Sequence, residues 1–267
     1  MASSQLYPNE IILDDSTTEG QLEDMARPFS RGLTMPVGRA ATVYAYGGTA
    51  DPFPAELLIP ESEWQARIQE MEERKSRVSD LIIQAGLPSH DQDGVPYCWI
   101  HGPTGAMEAL RVIQGQPMVA LSATSSGCII KNFRSEGGWG KEGLQFIANR
   151  GVVPQSLWPE NQLKRQYDTP TNWEEAKKYR CQEWWEARPR QFNEHMSLLL
   201  RRIPTAVGLN YWGHEVYDCD PVWLDGEPCV RFRNSWGAQW GENGFGIRRG
   251  NKKYADDIVA PRVAVAA

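Results

Sequence analysis

Three separate stretches of the chain carry residues that together could perform nucleophilic catalysis: the thiol of Cys98, the imidazole of His214 and the amide of Asn234. A cysteine becomes a strong nucleophile when a nearby cationic imidazole lowers its pKa from about 8.5 to roughly 3.5–7.5. An amide can bind the other ring nitrogen and fix the orientation of the imidazole. These residue types predict attack of a thiolate on a carbonyl carbon.

Each stretch alone also has an ordinary structural explanation. The segment that starts at Asn234 is rich in glycine and tryptophan, which is typical of β-turns. His214 opens a strand-like run in which a core histidine is common, and Cys98 follows a polar loop before a predicted helix. The order and spacing of the three stretches carry more information than any one of them.

Together, the stretches resemble the papain family of cysteine proteases. Asn234-Ser235-Trp236-Gly237 with Trp240-Gly241-Glu242 is similar to the family's asparagine motif, Gly213-His214-Glu215-Val216 to its histidine motif, and Cys98-Trp99 to its cysteine motif. The resemblance implies an α+β, papain-like fold of two lobes. The helical lobe would carry the nucleophile helix, and the antiparallel β lobe would carry His214 and Asn234.

The same resemblance implies further site residues. Gln92 precedes Cys98 at the position of the family's oxyanion glutamine, and one such donor can be worth about 2.7–4 kcal/mol. Gly137 and Gly138 match the glycines that line the substrate cleft, and Trp236 is expected to cover the hydrogen bond between His and Asn. The predicted catalytic residues are therefore Cys98, His214, Asn234 and Gln92, and the predicted substrate-binding residues are Gly137, Gly138 and Trp236.

Three positions depart from the family pattern. Val95 replaces a cysteine, so the disulfide that this cysteine would make is missing. Tyr97 replaces a small residue beside the nucleophile and is expected to crowd the cleft. Gly102-Pro103 is expected to interrupt the nucleophile helix, because proline removes an N–H and tends to kink a helix interior. Cys98 would then lie on a short first turn, or the helix would begin near Pro103.

The remaining histidines and cysteines are weaker candidates. His101 follows Cys98 by one helical turn but lacks an asparagine partner, and His90 and His195 have polar neighbours and are expected to be solvated. No CxxC or HxxxH pattern occurs, so the sequence predicts no metal and no cofactor. The other thiols are predicted to be small core residues: Cys128, Cys181, Cys219 and Cys229.

The chain divides into four predicted parts. These are an extended N-terminal arm (1–60), an amphipathic helix (61–85), the papain-like domain (86–250) and a C-terminal tail (251–267). Two apolar runs in the arm, 11–13 and 41–46, could dock as strands. Helical patterns predict helices at 139–149, 172–186 and 191–202. Strand patterns predict strands at 205–209, 215–217 and 229–233, with a hairpin turn at Asp225-Gly226.

The composition and charge of the chain limit the kinds of partner that it is expected to bind. The chain has 267 residues, 41% of them hydrophobic, and a formal net charge of −6. No basic run long enough to follow a phosphate backbone, no signal peptide and no long apolar span occur, which argues against nucleic acid, membrane and secretion by signal peptide. Five mostly free thiols fit a reducing cytoplasm. The expected partner is a peptide or protein substrate.

Two alternative functions remain open. The arm, the helix and the missing signal and disulfide also resemble papain-like proteins encoded by bacteriophages, which can travel in the virion. Such a chain could be a structural or binding component with weak or no catalysis, and its arm could contact other virion proteins. Acyl transfer or deamidation is a further alternative, although enzymes of those classes usually lack the Asn-Ser-Trp-Gly run.

Overall fold

The computed structural model describes residues 7–35 and 51–265, which form one eight-stranded sheet with helices packed around it. The strands are β1 (Ile11–Leu13), β2 (Asp51–Pro52), β3 (Cys181–Ala187), β4 (Thr205–Leu209), β5 (His214–Leu224), β6 (Glu227–Arg233), β7 (Phe245–Arg248) and β8 (Asp257–Ala264). The helices are α1 (Glu19–Ala26), α2 (Glu61–Glu73), α3 (Val78–Gln84), α4 (Cys98–Ile113), α5 (Ala123–Ile130), α6 (Gly140–Arg150), α7 (Pro170–Ala176) and α8 (Phe192–Leu200).

The sheet has the strand order β1-β7-β6-β5-β4-β8-β3-β2, in which only the two edge pairs, β1 with β7 and β2 with β3, are parallel. Helices α4, α5 and α6 form a lobe around a tryptophan-rich core that includes Trp99 and Trp158. A second core, which includes Trp212, Trp236 and Trp240, fills the β lobe. Helix α4 packs against β5 where the lobes meet, and its first residue is Cys98. The α+β, two-lobed architecture expected from the sequence is confirmed.

Several local predictions are confirmed within these elements. Helices α6 and α8 and strand β4 match the predicted segments within about one or two residues. Asp225 and Gly226 join β5 to β6 with φ values of 49° and 88°, as a tight hairpin turn requires. The five cysteines are all buried and free. In the described part of the chain, no helix is both long and apolar enough to span a bilayer.

The predicted helix at 172–186 is wrong in its second half. Helix α7 ends at Ala176, and Cys181–Ala187 forms strand β3, which pairs antiparallel with β8. Strand β8 lies between β4 and β3, so eight residues of the segment predicted as a C-terminal tail, Asp257–Ala264, are part of the sheet. Pairing between these distant segments overrides the helical pattern of the 172–186 stretch, because a buried strand is stabilised by its partners more than by its own propensity.

The predicted helix at 61–85 is two helices, α2 and α3. Lys75 between them has φ 49°, in the left-handed region that ends helices. The buried carboxylate of Asp220 accepts hydrogen bonds from the backbone N–H groups of Val78 (2.7 Å) and Ser79 (3.3 Å) and so fixes the start of α3. The described part of the predicted extended arm contains β1 and α1. The predicted strand at 41–46 lies outside the described residues.

Helix α4 is continuous from Cys98 to Ile113 although Pro103 lies in its interior. The interruption expected at Gly102-Pro103 is therefore wrong, and the helix begins at Cys98. Two glycines let α4 lie close to α6 and β5. A Cβ on Gly143 of α6 would meet the Trp99 carbonyl at 3.1 Å, and a Cβ on Gly105 of α4 would meet the Tyr217 ring at 2.6 Å. Tyr97 does not crowd the cleft either. It is buried in the helical lobe, where its hydroxyl donates to the Arg134 carbonyl at 2.7 Å.

Candidate active site

Cys98 lies at the start of α4 and is completely buried. The Gly32 backbone N–H donates to its Sγ at 3.1 Å, and the backbone N–H groups of Trp99 and Glu215 also hydrogen-bond to the sulfur. Burial raises the pKa of the thiol to about 12, against the lowering effect of the three N–H groups. In this conformation Cys98 is a neutral thiol.

His214 opens β5, and Asn234 follows the end of β6, its neighbour in the sheet. His214 Nε2 and Asn234 Oδ1 are 2.8 Å apart, which makes Nε2 the protonated nitrogen because a carbonyl oxygen only accepts. His214 Nδ1 has no hydrogen-bond partner among the described residues. Burial lowers the pKa of His214 to about 3 although Asn234 favours the cation, and the Arg31 guanidinium lowers it further.

Aromatic rings enclose this imidazole. Trp236 lies over the His214 ring with centroids 4.5 Å apart, and Trp212 meets it edge-on at 4.9 Å. Phe29 stacks on the other side of the same cluster, 5.0 Å from Trp236 with planes 5° apart. These rings keep water away from the hydrogen bond between His214 and Asn234.

Gln92 is fully buried and is joined to the segment that carries Asn234. Its backbone N–H donates to the Ser235 carbonyl at 2.9 Å, and its Oε1 accepts from the Ser235 hydroxyl at 2.7 Å. The side-chain Nε2 then points at two carbonyl oxygens, Val95 at 2.8 Å and Ser30 at 2.7 Å. Trp236 Nε1 also donates to the Ser30 oxygen, at 3.3 Å.

Residues 29–35 of the arm lie across the cleft, hereafter the cleft segment. Gly138 pairs with it through two backbone hydrogen bonds: its N–H donates to Gly32 O at 2.8 Å, and its carbonyl accepts from Thr34 N–H at 2.7 Å. Leu33 and Gly138 form a parallel bridge. The glycines make room for this contact, since a Cβ on Gly137 would meet the Gly32 carbonyl oxygen at 2.5 Å.

The cleft segment covers the thiol with a backbone N–H group. The sulfur accepts from the N–H of Gly32, whereas the carbonyl held by Gln92 belongs to Ser30, two residues earlier. The Cys98 sulfur, the Gln92 side chain and the Gly138 backbone are thus all occupied by atoms of the cleft segment.

Cys98, Gln92, Gly138 and Trp236 contact the cleft segment and Gly137 adjoins it, while His214, paired with Asn234, lies against Trp236. The catalytic and binding roles of these seven residues stay predictions. Sequence reasoning missed the cleft segment, for which no local pattern exists. It also missed Glu215, a buried carboxyl under the thiol, for which Gly102 and Gly140 leave space. Burial and then the Asp257 carboxylate raise the pKa of Glu215 well above its usual value, which favours the neutral form of this carboxyl.

The alternative histidines lie elsewhere. His90 and His195 are buried, not solvated as expected. His90 contacts Glu108, and His195 contacts Thr205 and Asp218. His101 is also buried, and neither of its ring nitrogens has a hydrogen-bond partner among the described residues.

Known proteins similar to this chain were found among solved structures. No family model and no curated protein matches the chain. Procathepsin L 3 from the larval midgut of Tenebrio molitor aligns at 16% identity over 92% of this chain and 79% of its own, with a TM-score of 0.60. Xylellain, a cysteine protease from Xylella fastidiosa, aligns at 16% identity over 88% of this chain and 96% of its own (TM-score 0.58). Procathepsin B S9 from Trypanosoma congolense aligns at 13% identity over 93% and 89% (TM-score 0.60).

At these identities the similarity is one of fold. It agrees with the sheet, the two lobes and the helix that begins at Cys98. The chain has the papain-like fold of the cysteine proteases.

Proposed function

We propose that this protein is a cysteine peptidase in which Cys98 is the nucleophile, His214 the proton carrier, Asn234 the residue that orients it and Gln92 an oxyanion donor. One observation carries the proposal: the cleft at Cys98 already holds an extended peptide, the cleft segment, with a carbonyl oxygen on Gln92 and backbone pairing to Gly138. The groups that bind it are those that an amide substrate would need.

The proposed reaction starts once a substrate replaces the cleft segment. The Cys98 proton passes to His214 Nδ1, and the thiolate attacks the substrate carbonyl carbon. Gln92 and the Cys98 backbone N–H stabilise the negative oxygen that forms. His214 then protonates the leaving amine, the C–N bond breaks, and water hydrolyses the thioester in a second round.

We further propose that the described conformation is latent. The thiol is buried, and the pKa values of Cys98 and His214 are shifted away from the thiolate–imidazolium pair because the cleft is dry. Three of the similar solved structures are procathepsins, and a fourth, a ragweed pollen cysteine protease, was determined in its proform. The cleft segment would have to leave before catalysis.

Gly32→Ala tests both statements. A Cβ at Gly32 would lie 2.0 Å from the Pro96 carbonyl oxygen, a backbone atom that cannot move aside easily. The substitution should displace the cleft segment and raise hydrolysis of a quenched-fluorescence peptide library at least about tenfold, which corresponds to about 1.4 kcal/mol. Gly20→Ala is the matched control, because a Cβ there meets nothing closer than 4.0 Å on α1.

The Cys98→Ala change in the Gly32→Ala background should abolish hydrolysis. Activity that survives it would contradict the assignment of Cys98. If the Gly32→Ala protein is folded and its Cys98 reacts with alkylating agents but no peptide is cleaved, the chain is better described as a papain-like binding or structural component. The complete burial of Cys98 is the observation that favours this second candidate.

A further inference from the structure

A second cluster of chemically active side chains lies behind the cleft. His90 comes from the loop before α4, His101 from the first turns of α4, and Glu160 from the loop between α6 and α7. One ligand atom of each lies within 4.8 Å of the others. His90 Nδ1 is 3.3 Å from Glu160 Oε2, and His101 Nε2 is 3.9 Å from Glu160 Oε1. We infer that these three residues bind one Zn²⁺ ion.

His101 supplies the first independent reason. The residue is 2% exposed, and both of its ring nitrogens lack a hydrogen-bond partner among the described residues. A buried polar atom left unsatisfied costs about 1–3 kcal/mol. Its Nε2 faces Glu160, so a metal between them would give this nitrogen a partner. A proton shared among His90, Glu108 and Glu160 would balance the charge of the cluster, but it would leave both ring nitrogens of His101 without a hydrogen-bond partner among the described residues.

The surroundings of His90 supply the second reason. Its Nε2 lies 2.6 Å from Glu108 Oε2, and Glu108 Oε1 accepts the Leu121 backbone N–H at 2.6 Å. When Nε2 carries the proton and donates it to Glu108, Nδ1 keeps a lone pair on the side of Glu160, where its one hydrogen-bond donor is Gln155 Nε2 at 3.5 Å, a long contact that a metal could replace. Histidines that bind metals usually have such a carboxylate behind them, which fixes the tautomer and the ring plane.

Glu160 is also held in place. The backbone N–H and the hydroxyl of Thr124 donate to its Oε1 at 2.9 and 2.5 Å, and Gln155 Nε2 donates to its Oε2 at 3.0 Å. Oε1 therefore already accepts two hydrogen bonds, whereas Oε2 accepts one and keeps a second lone pair available for a metal. The site is thus preformed on three segments whose ligands need move only slightly.

The ligand set selects the metal class. Two imidazoles and one carboxylate suit Zn²⁺, with Zn–N of about 2.0–2.1 Å and Zn–O of about 2.0–2.2 Å, and suit Mg²⁺ or Ca²⁺ poorly. The carboxylates of Glu108 and Glu160 together match the charge of one divalent ion. The sequence predicted no metal because the three ligands come from separate segments and form no local motif.

The ion would brace the nucleophile helix and would not take part in the reaction. His101 lies one turn from Cys98 on α4, and Glu160 and His90 tie that turn to two loops. Because none of the three ligands belongs to the proposed catalytic residues, the test is binding and does not depend on the proposed peptidase activity.

The test uses full-length protein with Cys98→Ala, which removes the thiol that could bind zinc in the cleft. After treatment with a chelator and its removal, Zn²⁺ is titrated by calorimetry, and Co²⁺ absorption reports the coordination geometry. We expect one ion per chain and no comparable binding of Mg²⁺. His101→Gln should abolish binding, and Glu108→Gln should weaken it about 10- to 100-fold.

Two controls make the result decisive. His195→Gln changes another buried histidine and His214→Gln the one in the cleft; both should leave zinc affinity unchanged. If His101→Gln does not fold, as judged by circular dichroism, Glu160→Gln replaces it, since an amide of the same size can still accept the Thr124 hydrogen bonds. Failure of the parent to bind Zn²⁺, or binding that survives these ligand substitutions, would overturn the inference.

Discussion

Two parts of the N-terminal arm, residues 7–26 and the cleft segment, are attached to the rest of the protein in different ways. Residues 7–26 belong to the fold: β1 pairs with β7, Leu13 is fully buried, and the buried Glu10 forms an ion pair with Arg231. The cleft segment contains no fully buried residue and is held mainly by backbone hydrogen bonds and the stacking of Phe29. The comparison teaches that the cleft can open while the sheet stays intact.

The largest expected effect is a loss of stability when the attachment of residues 7–26 is broken. Glu10→Ala would leave the Arg231 guanidinium buried without its carboxylate, and breaking a buried pair in this way typically costs about 3–5 kcal/mol. The free energy of unfolding, measured with urea, should fall by this amount. Asp24→Ala is the control, because its ion pair with Arg27 is exposed and should contribute under about 0.5 kcal/mol. Equal losses in the two variants would contradict the claim that the buried pair of Glu10 and Arg231 attaches residues 7–26 to the fold.

The second prediction concerns how docking of the cleft segment depends on pH. It uses the Cys98→Ala protein, so that no thiol titrates together with His214. Burial lowers the pKa of His214 to about 3 in the docked state, and release of the cleft segment should bring the pKa back toward about 6.5. The released state therefore binds the proton more tightly. Docking should be strongest above pH 6.5 and should weaken toward pH 3, by up to about 1.4 kcal/mol per pH unit.

Hydrogen exchange of the Thr34 amide, corrected for the intrinsic rate, measures this docking because Thr34 donates to the Gly138 carbonyl. His214→Gln should remove most of the pH dependence. Docking that strengthens as pH falls through this range would be the opposite of the expected sign.

The third prediction is smaller. Arg31 donates to the Trp212 carbonyl at 2.7 Å and is paired with Glu23. Arg31→Ala should weaken docking by about 1 kcal/mol and speed alkylation of Cys98 about fivefold, with no change in the midpoint of global unfolding. Arg27→Ala, which removes a neighbouring exposed arginine, should leave the alkylation rate as it is.

The smallest effect is expected at Glu215. Because its carboxyl is neutral, Glu215→Gln in the Gly32→Ala background should change the alkylation rate of Cys98 at pH 7 by less than about twofold. An ionised Glu215 would repel the thiolate, and its removal would then accelerate the reaction about tenfold for each unit of pKa that Cys98 loses. An acceleration of that size would show that Glu215 carries a charge.

The sequence predicted those parts of the site that have a local signature. The Asn-Ser-Trp-Gly run and the short motifs at His214 and Cys98 indicated which side chains meet, and Gln92 followed from its spacing to Cys98. The cleft segment has no such signature, because its contacts are made by backbone atoms and by Gly32. Its position depends on the whole surface of the cleft.

The same reasoning explains the fold. Helices α6 and α8 and the hairpin of β5 and β6 are specified by nearby residues and were predicted. Strands β3 and β8 stabilise each other across some 70 to 80 residues of chain, and the gathering of His90, His101 and Glu160 depends on three loops and helices. Neither the pairing of β3 with β8 nor this cluster can be recognised from a short stretch of the sequence.

Alkylation of Cys98 by iodoacetamide at mildly acidic pH, followed by mass spectrometry, tests most directly whether the cleft segment controls the thiol. The unmodified chain should react slowly at pH 5.5, with Cys98 no faster than the other four cysteines. In the Gly32→Ala protein, Cys98 should react far faster than those four, as an imidazole-stabilised thiolate does. Rapid labelling of Cys98 in both proteins, or slow labelling in both, would contradict the account.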